Sequence, residues 1–162
     1  MNPLPIDPVE KISHHVDALF GQRVSQAIPA ALDLEFSRRT GRIKNFGIKG
    51  RLAATLRTDG GLALTIFGAQ YFLDTSTAFL ENCVKPVEEA VPFVSEGRSL
   101  FCRHVEDCGS NVRVASDVGI VHERKVIAVG VALLAAPLMK QFSRGVAVKV
   151  REGLKGRAPD KD

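Results

Sequence analysis

The sequence Arg144-Gly145-Val146-Ala147-Val148-Lys149-Val150-Arg151 has the alternation of a β-strand that follows a glycine turn. In such a strand the three valines point to one side, and Lys149 and Arg151 point to the other. We expect the valines to pack in a core. The two cations would then lie about 7 Å apart on the exposed face, a spacing similar to that of successive phosphates along a nucleic acid. The alternative is a terminal strand whose charges protect a sheet edge.

Other short apolar runs precede this strand in the last third of the chain. Strands are predicted over Ser99–Val105, Val118–His122, Val126–Leu134 and Val146–Val150, and a short helix over Pro137–Phe142. Several short strands at close spacing, separated by turn-rich segments, favour a small β-barrel that closes its own sheet edges.

The first half of the chain mixes helical and strand patterns. Apolar residues from Val9 to Phe20 recur at helical spacing, and Gly21 would end that helix. A second helix is predicted from Gln22 to Leu34, although Pro29 interrupts it. Helical and strand signals compete over residues 34–43, and neither is favoured there.

An Asp-Gly turn marks the middle of the first half. The apolar runs Leu52–Arg57 and Leu62–Phe67 flank Thr58-Asp59-Gly60-Gly61, which is a strong hairpin signal. A short amphipathic helix is expected from Ala69 to Leu73. Two prolines between Pro86 and Gly97 indicate a boundary, so we predict an α+β fold with domains at residues 1–94 and 95–155. Residues 156–162 are predicted to be a disordered basic and polar tail.

Composition restricts the class of protein. The chain has 162 residues, of which 45% are apolar and 25% charged, too apolar for a disordered chain. Its longest apolar run, Val126–Met139, is 14 residues long, shorter than a membrane span of roughly 18. The first eight residues lack the pattern of a signal peptide. Three cysteines, an odd number, favour a reducing compartment. We therefore expect a cytoplasmic protein without a membrane segment.

The net charge of +4 is unevenly distributed. Up to residue 94, ten Lys and Arg balance ten Asp and Glu, so the whole excess lies in the second half. Residues 36–58 nevertheless hold a run of basic residues without an acid, and a second basic cluster covers residues 140–157. Clustered cations of this kind indicate a polyanion partner, whereas a solvated face with nearby counter-charges is the alternative. With nine Phe, one Tyr and no Trp, most rings are needed for the core. Backbone and shape recognition of RNA is therefore favoured over base stacking.

The reactive side chains do not form a recognised catalytic or metal motif. Cys83, Cys102, His104 and Cys108 lack the paired spacing of a structural zinc site, and buried cysteines are the better interpretation. No glycine-rich phosphate loop or nucleophile elbow is present. We therefore predict no catalytic residue, no metal and no cofactor.

The C-terminal motifs resemble those of a PUA domain, a small RNA-binding pseudo-β-barrel. The similarity covers about residues 95–155 and rests on three pieces taken together. They are Phe101-Cys102-Arg103-His104-Val105, the segment Ile127–Ala132, and Arg144–Arg151.

The preceding half also has a counterpart. The segments Thr40–Ile43, Leu52–Arg57 and Asp59–Leu62, with Pro92-Phe93-Val94, resemble the domain before PUA in archaeal tRNA-guanine transglycosylases and archaeosine synthases. The catalytic barrel and zinc site of the transglycosylases have no counterpart in this sequence. The resemblance therefore implies an α+β fold, with a small α/β pre-PUA domain followed by a PUA pseudo-β-barrel.

The resemblance also implies which residues contact RNA. The family places Gly-Asp before the second PUA strand, whereas this chain has Ala115-Ser116-Asp117. Carried over by position, the implied contacts are Arg113, Ser116, Asp117, Gly130, Lys149 and Arg151. The basic cluster adds Arg144 and Gly145, because a glycine lets the backbone approach a ligand closely. Arg42, Lys44, Lys49 and Arg51 are predicted as a secondary RNA contact.

We therefore expect a non-catalytic RNA-binding protein. The resemblance implies that it docks the acceptor stem of tRNA for an archaeosine-type transglycosylase on another chain. An adaptor that binds structured rRNA in ribosome assembly or translation is the alternative, and an enzyme of unknown class is the third.

Overall fold

The computed structural model describes residues 6–157. Over this range the chain forms a four-stranded sheet with helices, followed by a seven-stranded sheet that curls into a barrel. We call residues 6–82 the N-terminal unit and residues 83–157 the barrel. None of the helices in the described range has the length and hydrophobicity needed to cross a membrane.

The N-terminal unit begins with a capped helix. α1 (Pro8–Phe20) starts after Asp7, whose carboxylate accepts the Val9 N–H at 2.9 Å, and it ends at Gly21 with φ 105°. The Asp cap followed by Pro at the first helical position is a strong start signal. The other helices and strands are α2 (Gln22–Ser25), β1 (Asp33–Phe36), β2 (Ile43–Ile48), β3 (Arg51–Leu56), β4 (Leu62–Leu64) and α3 (Ile66–Thr75), and a 3-10 helix (Thr77–Asn82) follows α3. The strands pair antiparallel in the order β1-β2-β3-β4.

The barrel is built around the long antiparallel strands that the sequence predicts. Its strands are β5 (Cys83–Pro86), β6 (Leu100–Phe101), β7 (Val105–Cys108), β8 (Asp117–His122), β9 (Lys125–Ala132), β10 (Val146–Gly153) and β11 (Gly156–Arg157). The sheet order is β11-β10-β9-β8-β5-β7, and β6 pairs with β10. A 3-10 helix joins β6 to β7, so the sheet curls back on itself and nearly closes. Two short helices are added, α4 (Val91–Ser95) and α5 (Ala136–Met139).

Two apolar cores lie on opposite sides of the β8–β9 hairpin. The N-terminal core contains the packed rings of Phe20, Phe72 and Phe79, whose centroids are 5.7–6.3 Å apart. The outer face of the hairpin adds three valines to this core: Val121, Val126 and Val129. The inner face packs into the barrel core, for example through Ile120 and Ala128. The barrel sheet therefore has one face against the N-terminal unit.

The structure corrects the predicted second helix. Only Gln22–Ser25 is helical, and β1 begins at Asp33 within the range assigned to the helix. Pro29 cannot donate a helical hydrogen bond, and Leu34 instead pairs with Phe46 of β2. The second hairpin strand is also shorter than predicted, because Thr65 accepts the Gly68 N–H at 2.9 Å and caps α3.

Residues 83–94 contribute to the barrel. β5 pairs in parallel with β8, and Val84, Ala90 and Val94 are buried in the barrel core. The boundary after residue 94 stays a prediction. Gly156 and Arg157 form β11 and do not belong to a disordered tail, whereas the rest of that predicted tail, residues 158–162, lies outside the described residues.

Candidate nucleic-acid interface

The loop before β8 is held in one conformation by hydrogen bonds. The Arg113 N–H donates to the Ser116 hydroxyl at 2.9 Å, and the Ser116 N–H donates to the Arg113 carbonyl at 3.0 Å. The Ala115 N–H and Ser116 carbonyl pair with Ala132, at 2.8 and 2.9 Å. Ala115 has φ 69°, a left-handed conformation that glycine adopts at lower cost. The left-handed residue is one position before Ser116, which stands where the family has glycine and has no positive φ itself. Arg113 stays exposed.

Asp117 does not face solvent, which corrects its prediction as an RNA contact. Its side chain is only 3% exposed and points at the hairpin of the N-terminal unit. One carboxylate oxygen accepts the Leu62 N–H at 2.9 Å, and the other lies 3.2 Å from Arg57 Nη1. Burial raises the pKa of Asp117 to about 6, against the attraction of the Arg57 guanidinium. Asp117 therefore joins the two parts of the molecule.

Arg151 is also turned away from the predicted face. A β-bulge between Val150 and Glu152 inserts Arg151 as an unpaired residue opposite β9. Its guanidinium donates to the Leu64 carbonyl in the N-terminal unit and is half-buried. Burial lowers its pKa, although the nearby Asp117 carboxylate opposes this shift. The expected pair of outward cations is therefore reduced to the exposed Lys149.

Gly130 is buried and serves the packing of strands, so its prediction as an RNA contact is corrected. A Cβ atom at this position would lie 2.2 Å from the Lys149 carbonyl oxygen. The backbones of β9 and β10 approach closely here, since Gly130 is paired with Val150. Only glycine fits this crossing without a shift of the sheet.

Arg144 and Gly145 lie in the exposed turn before β10. Gly145 has φ 91°, and its carbonyl accepts the Cys102 N–H at 2.9 Å. Leu133, just after β9, donates its N–H to the Ala147 carbonyl at 2.8 Å. The loop at Arg113 and the turn at Arg144 are therefore attached to the same end of the β9–β10 pair. We call Arg113, Arg144 and Lys149 the barrel cations.

Exposed apolar side chains accompany the barrel cations, and sequence patterns did not single them out. They are Phe101, Val114, Leu133, Leu138 and Phe142, which are between 43% and 66% exposed. Strand and helix periodicity assigns such residues to a core by default, so the pattern carries no signal of their exposure.

The predicted secondary contact is divided between two ends of β2. Arg42 and Lys44 lie where β2 begins, and Lys49 and Arg51 lie beyond its other end, about 20 Å away. Lys44 is paired with Glu35 at 3.6 Å, and the Arg51 guanidinium stacks 4.2 Å from the Phe67 ring centroid. The structure therefore does not bring these four side chains together.

The three cysteines are free, and none of them is fully exposed. Burial raises the pKa of Cys83 and raises that of Cys108 to about 11. Cys102 is buried in the 3-10 helix between β6 and β7. Within residues 6–157, no three His, Cys, Asp or Glu side chains are grouped closely enough to hold a metal ion.

Comparisons with known proteins agree with this architecture. The PUA domain family matches residues 87–154. The tRNA-guanine(15) transglycosylase of Methanobrevibacter smithii is 33% identical over 152 residues, which cover 92% of this chain but only 23% of that enzyme. The chain thus spans about a quarter of the length of such curated relatives.

Solved structures share the fold. A hypothetical protein from Pyrococcus horikoshii aligns over 94% of this chain and 93% of its own, with a TM-score of 0.71 at 21% identity. A conserved PUA domain protein from Thermoplasma acidophilum aligns over 87% and 89%, with a TM-score of 0.59 at 18% identity. Residues 87–154 thus form a PUA domain, an RNA-binding fold, in a chain homologous to the C-terminal PUA-containing region of archaeal tRNA-guanine transglycosylases.

Proposed function

We propose that this protein binds the acceptor stem of tRNA on the barrel and holds it for a catalytic chain of the transglycosylase type. The observation that carries the proposal is the exposure of the barrel cations at one end of a PUA domain. The homology to tRNA-guanine(15) transglycosylases supports tRNA as the RNA that is bound. It also supports base exchange as the reaction that the catalytic chain performs on this tRNA.

The mechanism is one of positioning. Lysine and arginine contacts to phosphates fix the register of a duplex but carry no sequence information. The loop at Arg113 is held by hydrogen bonds before any ligand arrives, so binding orders little additional backbone. Specificity then comes from the shape of an A-form stem and its end.

Catalysis is assigned to another chain. Burial raises the pKa of Cys83 and Cys108, so these two thiols are protonated at neutral pH. Asp117, the buried carboxylate, is engaged by Leu62 and Arg57. The site therefore offers phosphate contacts and no activated nucleophile.

Salt-dependent binding tests the RNA contact. We expect Arg113→Ala and Lys149→Ala each to weaken binding of a tRNA transcript, and each to lower the slope of log Kd against log salt by about one. Lys125→Ala is the matched control. It removes the same charge, and Lys125 is exposed at the opposite end of β9. Unchanged slopes for both barrel variants would refute the proposed face.

Recovery of partners from native extract tests the role. The proposal predicts that the tagged protein recovers tRNA and the catalytic chain of a transglycosylase. Co-sedimentation with ribosomal particles without enrichment of tRNA would instead support the adaptor in ribosome assembly or translation. Incorporation of a labelled base into tRNA by the purified chain alone would contradict the non-catalytic role.

A further inference from the structure

The N-terminal unit contains an open groove of about 950 Å³ between α1, the β1–β2 turn and the tip of the β3–β4 hairpin. Five cations line it, three of them being Lys11, Arg39 and Arg42, and no Asp or Glu is among its described lining residues. Within residues 6–157 these three side chains are exposed and make no ion pair. A groove lined by one sign of charge concentrates the opposite charge.

The β1–β2 turn that carries the two arginines is ordered. The Ser37 N–H donates to the Arg42 carbonyl, and the Gly41 N–H donates to the Ser37 carbonyl, both at 2.8 Å. Gly41 adopts φ 69°, which glycine tolerates. These hydrogen bonds fix the backbone at Arg39 and Arg42. The two arginine side chains therefore extend from an ordered turn at one side of the groove.

Phe36 gives the groove a second kind of contact. It is the last residue of β1, lines the groove and is 46% exposed. An exposed ring beside cations is the combination with which proteins bind single-stranded nucleic acid, because a base stacks on the ring while cations hold the phosphates.

A smaller cavity lies between the groove and the barrel loop. Arg57 and Gly60, at the hairpin tip, line both the groove and a smaller cavity of about 190 Å³ that reaches Ala115 and Ser116. His15 Nε2 donates to the Gly60 carbonyl at 2.7 Å and so fixes α1 against this tip. A strand leaving the barrel loop would pass the hairpin tip, where Arg57 and the exposed Asp59 lie, before it reaches the groove.

We propose that this groove binds a single-stranded segment of the same RNA, with phosphates on Lys11, Arg39 and Arg42 and one base stacked on Phe36. This inference rests on the proposed function, since it extends the RNA path from the barrel loop. Of the predicted secondary RNA contacts, the proposal uses Arg42 but not Lys49 and Arg51, which lie outside the groove lining.

Binding of a tRNA transcript with an unpaired 3′ end tests the groove. We expect Arg39→Ala/Arg42→Ala to weaken binding about tenfold and to lower the salt slope by about 1.5 to 2. Phe36→Ala should weaken binding about tenfold with an unchanged slope, because stacking releases no counterions. The control Arg124→Ala/Lys125→Ala removes the same charge from the exposed turn between β8 and β9, outside the groove, and should leave both quantities unchanged.

The outcomes separate the groove from the barrel. If Arg39→Ala/Arg42→Ala binds like the wild type while Arg113→Ala/Lys149→Ala does not, the groove proposal is overturned and the barrel proposal stands. The groove would then be assigned to an acidic protein partner. If the wild type does not bind RNA in the first place, both proposals fail together.

Discussion

Asp117 lies in the contact between the N-terminal unit and the barrel, between Arg57 and Arg151. Its distance to Arg57 is that of an ion pair, yet the same oxygen has no well-aligned hydrogen bond within the described residues. The attraction therefore offsets only part of the cost of burying the charge. This explains why the pKa rises from its ordinary 3.8 to about 6 although arginines are near.

The raised pKa of Asp117 predicts an unusual dependence of stability on pH. Because the folded state holds the proton more tightly than the unfolded state, the contribution of this group is fully present below pH 3.8 and is lost as the pH rises through 6. Relative to Asp117→Asn, the wild type should gain about 2 kcal/mol in free energy of unfolding between pH 7 and pH 4.5. Urea unfolding of both proteins at the two pH values measures this difference. Equal pH dependence of the two proteins would show that Asp117 does not titrate in this range.

At the scale of elements, the close approach of β9 and β10 depends on a glycine at position 130. Gly130 and Gly119 are both strand glycines of the barrel, but they differ in their surroundings. A Cβ on Gly119 would make ordinary contacts, the nearest being 3.6 Å from Cys83 Sγ, whereas one on Gly130 would overlap the backbone of β10.

Alanine at these two glycines should have opposite effects. We expect Gly130→Ala to lower the free energy of unfolding by about 3 kcal/mol, since the clash involves backbone that cannot rotate away. Gly119→Ala should raise it by about 0.5 kcal/mol, because alanine loses less conformational freedom on folding. Chemical denaturation of the two variants measures both values. A tolerated Gly130→Ala would mean that the two strands can separate at little cost.

Elements encoded locally could be predicted from the sequence. The hairpin over residues 52–64 follows from Asp59-Gly60, where Asp59 accepts the Gly61 N–H at 2.9 Å within the same loop. The strands at Val118, Val126 and Val146 follow from their apolar runs. The RNA-binding fold was predicted by resemblance, and the PUA match confirms it.

Features that depend on distant residues could not be predicted. The burial of Asp117 requires Leu62 and Arg57, more than fifty positions away in the chain. Arg151 was expected to point outward, but a bulge in β10 shifts the alternation of inward and outward side chains by one residue. The groove is likewise an assembly of α1 with the β1–β2 turn, so no local pattern marks Lys11 as a partner of Arg42.

At the scale of the molecule, the N-terminal core contains residues from both parts. The β8–β9 hairpin gives Val121, Val126 and Val129 to the N-terminal core, so the N-terminal unit cannot detach without exposing them. A hydrogen bond also joins the two parts: Asn111 Nδ2 in the barrel donates to the Leu19 carbonyl in the N-terminal unit at 3.0 Å. The predicted division into domains therefore need not be a division into independently stable parts.

Because the N-terminal core contains barrel residues, a substitution that destabilises the barrel should destabilise the N-terminal unit by the same amount. Tyr71, the single tyrosine, lies in α3, and its hydroxyl donates to the Ala27 carbonyl at 3.1 Å, so its fluorescence reports the N-terminal unit. Gly130→Ala, which lies in the barrel, should lower the midpoint of the Tyr71 transition and that of far-ultraviolet circular dichroism by the same amount. A Tyr71 midpoint that stays at the wild-type value would show that the two units unfold separately. In that case, the valines of the hairpin would contribute little to the stability of the N-terminal unit.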